Sequence, residues 1–363
     1  MDRRQLILGG SACRSSRAAG TEPNVDRERP KEPMSLSEPF CKPAAAAILT
    51  LWMVLMLIAD AAPGSPSGTP TAEGKSLRSR LADHVRVLAA EIGERNLFHP
   101  EKLARAATYI EAAWLKQGYE VKSQEYQVDG TGVRNLEIEI TGARYPERII
   151  IIGAHYDTVA GSPGANDNGS GVAALLEISR RFSSATPEKT VRFVAFVNEE
   201  PPFFMSGLMG SRVYAARARR NNEQIVAMLS LETIGYYSEA PGSQRYPFPL
   251  RLFYPDTANF IGFVGNLPSR RLLKKVSDSF QRNSAFPAER LAAPSWLTGV
   301  GWSDHWSFWQ EGYPAIMVTD TAFFRYNHYH LAGDTPDRLD YDKMAEVTAG
   351  LYRTIAELVS CQL

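Results

Sequence analysis

The 363-residue chain carries 40 basic and 40 acidic residues, for a formal net charge of zero, and is 44% hydrophobic and 22% charged. This is the composition of an ordinary globular protein, long enough for one large α/β domain or two small ones. The balance gives no electrostatic case for nucleic acid as a partner and does not by itself suggest a disordered tail. With only Cys13, Cys41 and Cys361 available, a disulfide framework or zinc–thiolate cluster is excluded as an organising device. Any metal must be held by nitrogen and oxygen, and Cys361 reads as a lone thiol without a role.

Residues 1–43 mix Arg, Glu, Pro and Ser without an apolar period and are expected to be unstructured, or a mis-started leader upstream of the true initiator. Ala44 to Ile58 is then an unbroken small and apolar run, preceded by Lys42 and followed by the small-x-small stretch Ala59-Asp60-Ala61. Residues 44–62 therefore read as an export signal or, alternatively, an N-terminal membrane anchor, since the run is only slightly shorter than the roughly 20 residues that span a bilayer. Met34 would start a signal peptide of ordinary proportions. Residues 63–76, rich in Pro, Gly, Ser and Thr over Pro63 to Gly74, are expected to be a linker to a domain spanning 77–363.

Leu77, Leu81, Val85, Leu88 and Ile92 recur at helical spacing, and Pro100 to Gln117 repeats the pattern behind a proline at the first turn. Tyr119 to Val128 and Asn135 to Thr141 alternate as half-buried strands, while Arg148 to Gly153 looks like a central buried strand. Gly169 to Phe182 reads as a helix. Val191 to Val197, Ile225 to Leu231, Leu250 to Tyr254 and Ala315 to Thr319 read as strands, and Ser269 to Asn283 and Lys343 to Leu358 as helices. The alternation predicts an α/β fold with a largely parallel or mixed central sheet.

Polar clusters stand where predicted strands end, the usual location of sites in open α/β sheets. His155-Tyr156-Asp157 follows the first central strand; period two points His155 and Asp157 to one side, so the carboxylate can orient the imidazole. Gly164-Ala-Asn-Asp-Asn-Gly-Ser-Gly171 forms a glycine-permitted turn that projects Asp167 toward the sheet end, although Asp167 or Asn168 could instead cap the following helix. Glu199 and Glu200 adjoin at the end of a buried strand, where two carboxylates repel one another unless a cation intervenes. One Glu can then coordinate while its neighbour takes a proton from water. Glu232 and His330 complete the set, in a chain with six histidines. Imidazole and carboxylate suit zinc, and five ligands fit two ions better than one: His155 with Glu232, Glu200 with His330, Asp167 between them.

On these motifs, together with Ser303-Asp304-His305 and His330-Leu-Ala-Gly-Asp334-Thr335, the chain from about residue 77 onward resembles the co-catalytic zinc peptidases of the M28 family. The resemblance implies a three-layer α/β/α sandwich around a mixed, largely parallel central sheet, two zinc ions, a peptide substrate and aminopeptidase-type hydrolysis. It implies Glu199 as general base, Asp157 as partner of the first histidine, and a non-proline cis peptide after Asp167. Two departures bear on specificity. Pro201 to Met209 lengthens the loop after the Glu pair, so Phe203, Phe204 and Met205 are expected to wall the pocket, unless the loop is tucked on the surface. Val300 stands where some aminopeptidases carry a tyrosine donor, leaving the metal, Trp302, Tyr236 or Tyr254 to stabilise the oxyanion. Asp304 and Trp302 are placed at the same pocket.

Two rival readings share the scaffold: a single-zinc glutaminyl-cyclase-like transferase, and an inactive, membrane-anchored binding module. Retention of all five ligands disfavours both. Side-chain preference and oligomeric state leave no mark in the sequence. Sequencing the N-terminus of the exported protein is expected to find a start after residue 58; a mature chain beginning before Ala44 would refute the signal-peptide reading.

Overall fold

The computed structural model describes residues 72–360 except 249, with side chains from Ser76 onward, so residues 1–43 and 44–62 and all three cysteines lie outside the described residues. Helix α1 (Ala72–Val85) begins five residues ahead of the expected Leu77, inside the expected linker, and runs into a π-helical segment, Arg86–Ile92. Then come α2 (Pro100–Lys116), β1 (Lys122–Val128), β2 (Thr131–Ile140), β3 (Tyr145–His155), α3 (Gly171–Phe182) and β4 (Lys189–Phe196). The chain continues through α4 (Gly210–Arg220), β5 (Gln224–Leu231), β6 (Ile261–Asn266), α5 (Arg270–Asn283) and β7 (Ala288–Ala293). It closes with α6 (His305–Gln310), β8 (Ala315–Thr319), α7 (Ala322–Arg325) and α8 (Tyr341–Ser360). Among the described residues no helix is long and apolar enough to cross a membrane.

One eight-stranded sheet runs β1-β2-β4-β3-β5-β8-β6-β7. The four central strands β4, β3, β5 and β8 are parallel, β1, β2 and β4 pair antiparallel, and β6 runs against β8 but along β7. Side chains alternate across the sheet. Ile150, Ile152, Phe193 and Leu229 join the core beneath α1, α2, α3, α5 and α8, whereas Ile149, Ile151, Val194 and Met228 meet α4 and α6. A register shift between Ile149 and Ile150 opposite β5 sends Ile225 and Ala227 to opposite faces, although they sit two residues apart. The result is the expected three-layer sandwich, with the C-terminal ends of the parallel strands gathered at one edge.

The elements depart from expectation in several places, and α4, α6 and α7 are among those not expected. Leu250 to Tyr254 is not a strand: Leu250–Leu252 forms a single 3-10 turn. Prolines 247 and 255 bracket it, and a residue without an N–H cannot continue a ladder. Strands β6 and β7 were not expected, because Ile-Gly-Phe-Val-Gly-Asn is glycine-interrupted and Ala-Glu-Arg-Leu-Ala-Ala has weak strand propensity. Pairing with β8 and with each other overrides propensity there.

Buried charges tie the layers together. Lys189, fully enclosed at the start of β4, donates Nζ to the carbonyls of Leu358 and Val359 at the end of α8, where a helix presents unpaired acceptors. On α3, buried Glu177 accepts from Arg80 Nε at 2.7 Å and Arg180 Nε at 2.9 Å and faces His84 Nε2 at 3.4 Å, fastening α1 to α3. Burial raises this carboxyl's pKa, but the His84, Arg80 and Arg180 donors outweigh it and hold the value at about 2, below the ordinary 4.5. A depressed folded-state pKa contributes stability that is present above the unfolded pKa and lost as pH falls through the folded one. Glu177→Gln is therefore expected to cost about 2 kcal/mol at pH 7. In chemical unfolding the difference from the parent should shrink as pH drops from 4.5 toward 2; a gap constant with pH would contradict the account.

Candidate metal centre and active site

Every residue expected at the centre leaves the sheet at the same edge. His155 is the last residue of β3, Glu199 and Glu200 follow β4, Glu232 follows β5, and His330 lies on the loop after α7. Asp167 comes from the turn Ala165–Ser170 ahead of α3, and its peptide bond to Asn168 is cis. Gly164 enters that turn at φ +64°, where an added Cβ would strike Thr158 and the Asp167 carbonyl. At Gly171 a Cβ would lie 2.5 Å from the Leu231 carbonyl, so only glycine lets α3 begin this close to the end of β5.

Within this edge the distances fall into two groups. His155 Nε2 lies 3.3 Å from Asp167 Oδ1 and 3.4 Å from Glu232 Oε2. His330 Nε2 lies 3.0 Å from Asp167 Oδ2 and 3.2 Å from Glu200 Oε2. Asp167 thus turns one oxygen to each histidine. Both its oxygens, both ring nitrogens of His155, Nε2 of His330 and Oε1 of Glu200 are buried atoms without a hydrogen-bond partner. Polar atoms in that condition cost free energy unless something else satisfies them. An oxygen- and nitrogen-liganded cation does so, and ligand atoms of His155, Asp167 and Glu200 all lie within 4.8 Å of one another. The donor set fits zinc.

Electrostatics point the same way. Burial, reinforced by Glu232, Glu200 and Asp304, pushes the Glu199 carboxyl well above its ordinary range, against the pull of His155. Burial and Asp167 push Glu200 to about 7. Burial alone would lower His330, but Asp167 and Glu200 outweigh it and raise the imidazole to about 10. The protein supplies more carboxylates than cations here, and a divalent ion reverses that balance.

The supporting contacts are specific. Asp157 Oδ1 and Oδ2 accept the Glu199 and Glu200 backbone N–H groups, each at 3.1 Å, while Oδ1 stands 3.5 Å from His155 Nδ1, an ion-pair rather than a hydrogen-bond distance. One carboxylate therefore orients three residues of the site. Asn168, not Asp167, satisfies the helix start: its Oδ1 accepts from Gly171 N and Thr233 N, leaving the Asp167 carboxylate free. Asp334 accepts the N–H groups of Asn166 at 2.8 Å and Asp167 at 3.0 Å, and Tyr326 Oη donates to it. Ser303 donates to Glu232 Oε2 at 2.8 Å.

Two supports carry no local sequence signal. Arg95 is fully buried and donates to the carbonyls of Tyr156, Pro163 and Gly164, sewing the exit of β3 to the entry of the Asp167 turn; burial lowers its pKa to about 10. Asp320 accepts from Asn166 Nδ2, Thr233 Oγ1 and Tyr236 N, joining the Asp167 turn to the segment after Glu232. Each is an isolated charge in the sequence, distinguishable from a surface residue only by burial.

The expected pocket residues separate. Asp304 is fully buried, and burial pushes its pKa to about 7, so it stands as an electrostatic neighbour of the centre. After Glu200 the chain passes Pro201–Pro202, in cis, into successive turns; Phe203 leans on the main core, Phe204 is half-buried and Met205 is exposed. Trp302 is 40% exposed beside Phe323, which keeps its ring available at the surface. Tyr254 Oη is already committed to the Arg290 carbonyl and so is withdrawn as an oxyanion donor. Buried Val300 accepts from His305 Nε2 through its carbonyl.

The profile of peptidase family M28 matches residues 135–355. YfbL of Escherichia coli (strain K12) is 40% identical over 281 residues, covering 75% of this chain and 85% of YfbL. A probable leucine aminopeptidase of Arthroderma otae is 25% identical over 317 residues, 78% of this chain and 77% of its own. Among solved structures, the zinc aminopeptidase BSAP of Bacillus subtilis superimposes with a TM-score of 0.64 at 14% identity, over 78% of this chain and 95% of BSAP, a likeness of fold. The profile match spans more than half of the chain and includes every residue of the two histidine–carboxylate groups, and on that basis the chain belongs to peptidase family M28 and is a zinc-dependent peptidase.

Proposed function

We propose that the chain is a two-zinc aminopeptidase that removes N-terminal residues from peptides, with Glu199 as its general base. The observation that carries this reading is Asp167: its two unpaired oxygens address two separate histidine–glutamate pairs, as a bridging ligand must. His155 and Glu232 would hold one ion, Glu200 and His330 the other. The name of the Arthroderma otae relative supports the choice of aminopeptidase.

Zinc at these pairs supplies polarisation of the scissile carbonyl and a water acidic enough to be deprotonated near neutral pH. The chain's own part is proton handling and orientation. Glu199 is held by its N–H on Asp157 with Oε2 3.9 Å from His155 Nε2, so its carboxylate lies at the edge of the centre. It takes a proton from the attacking water as the new C–O bond forms. It returns that proton to the departing amine nitrogen as the C–N bond breaks. His330 is the ligand whose side chain is partly exposed, 32% against 0% for His155, so substrate is expected to enter from its side.

Glu199→Gln is expected to lower kcat on aminoacyl-p-nitroanilides by about a hundredfold or more while the protein retains two zinc ions per chain. Near-normal turnover of that variant would overturn the base assignment. Glu200→Ala and His330→Ala should lose zinc by elemental analysis, and a parent stoichiometry of one would favour the cyclase-like reading. Asp334→Ala strands the Asn166 and Asp167 amides and should weaken zinc affinity about 10–100-fold without unfolding the protein, read by competition with a chromogenic chelator. Unchanged affinity would show that the clamp is dispensable.

A further inference from the structure

On the α6 face of the sheet, β6, β7 and β8 floor a recess that is open to solvent. Tyr246, Tyr254, Phe260 and Phe323 line it, and Gly262 leaves room on its floor. Two short chains of contacts lead from it toward the proposed metal centre. His330 stacks on Tyr329 with ring centroids 3.9 Å apart, and Tyr329 meets Phe323 at 5.9 Å. At the other side, Thr319 of the recess lies 3.3 Å, hydroxyl to hydroxyl, from Thr233, the residue after Glu232.

One charged side chain in this aromatic recess lacks a counterpart. Glu289 is half-buried on β7, and no hydrogen bond or ion pair reaches it among the described residues. Its neighbour Arg290 does not serve, because it bonds Asp278 and Ser277 on α5. Burial alone raises the Glu289 pKa, with no compensating cation. Nearby, the buried Tyr246 hydroxyl also has no partner. The Glu289 carboxylate in turn pushes up the pKa values of Tyr246 and Tyr254, secondary to burial, which places it within electrostatic reach of both.

We propose that this recess receives the side chain of the substrate's N-terminal residue and selects one with an apolar stem and a cationic tip, lysine or arginine, with Glu289 as the counter-charge. The inference rests on the aminopeptidase reading above. Aromatic walls accept methylenes and favour a cation at their faces. A leucine-like side chain would fill the same walls but cover Glu289 without pairing it, which is costly for a carboxylate. The protein has already borne part of that carboxylate's desolvation on folding, so an arriving ammonium gains attraction without the full penalty of burying both partners.

The test compares lysine and norleucine p-nitroanilides, which differ at the ammonium, on the zinc-loaded enzyme and on Glu289→Gln. The parent is expected to favour lysine in kcat/KM, and the variant to reduce that lysine-to-norleucine ratio about tenfold or more. A parent without lysine preference, or a variant that keeps it, overturns the proposal. Calorimetric titration with lysinamide and norleucinamide separates this from the wider reading. If neither anilide is cleaved yet lysinamide binds more tightly only when Glu289 is present, the recess assignment stands and the aminopeptidase reading falls. Equal binding of the two amides overturns the recess assignment whatever the turnover.

Discussion

Negative charge held out of water is the constraint on which the rest of this structure depends. Asp167, Glu199, Glu200 and Glu232 converge on two imidazoles at the edge of a parallel sheet, all with small exposure. Carboxylates do not gather so without a cation to hold them. The apolar strands beneath, with Ile150, Ile152, Phe193 and Leu229 fully enclosed, pay for the assembly through burial of hydrocarbon. They also fix the spacing, because β4, β3, β5 and β8 are adjacent and each ends at the same edge. Neighbouring parallel strands lie a little under 5 Å apart, the scale of a shared ion site.

Around that edge a second set of charges restrains backbone rather than ligand. Asp157 holds the amides of both glutamates, Asp334 the amides that lead into Asp167, and Asp320 the side chain of Asn166. Arg95 complements them by gathering carbonyls. Because these groups act on peptide units, the direction of each ligand is set by the main chain and is little affected by rotamer freedom.

Much of the centre was legible in the sequence because His155, the Glu199-Glu200 pair and Glu232 follow apolar runs, and apolar runs that long in an α/β pattern are central strands, whereas Asp167 and His330 stand in a glycine-rich turn and a loop and are legible only through their motifs. His155 after Ile149 to Ile152 and the glutamates after Val191 to Val197 are of the first kind. Legibility fails where long-range pairing decides the outcome. β6 and β7 form because β8 offers an edge, not because Ile261–Asn266 or Ala288–Ala293 favours extension. Leu250 to Tyr254 has the reverse character: apolar in pattern, yet a turn beside prolines. Arg95, Asp320 and Glu289 escape notice for a related reason, since a lone charge looks the same in a sequence whether water or protein surrounds it.

The clamp between Asp334 and the Asp167 turn joins residues 168 and 167 positions apart. During synthesis the turn therefore emerges long before the carboxylate that shapes it, and His330 arrives with the same late segment. Zinc capture is accordingly a terminal event of biogenesis: a chain interrupted ahead of residue 330 has its sheet strands but only part of its metal pocket.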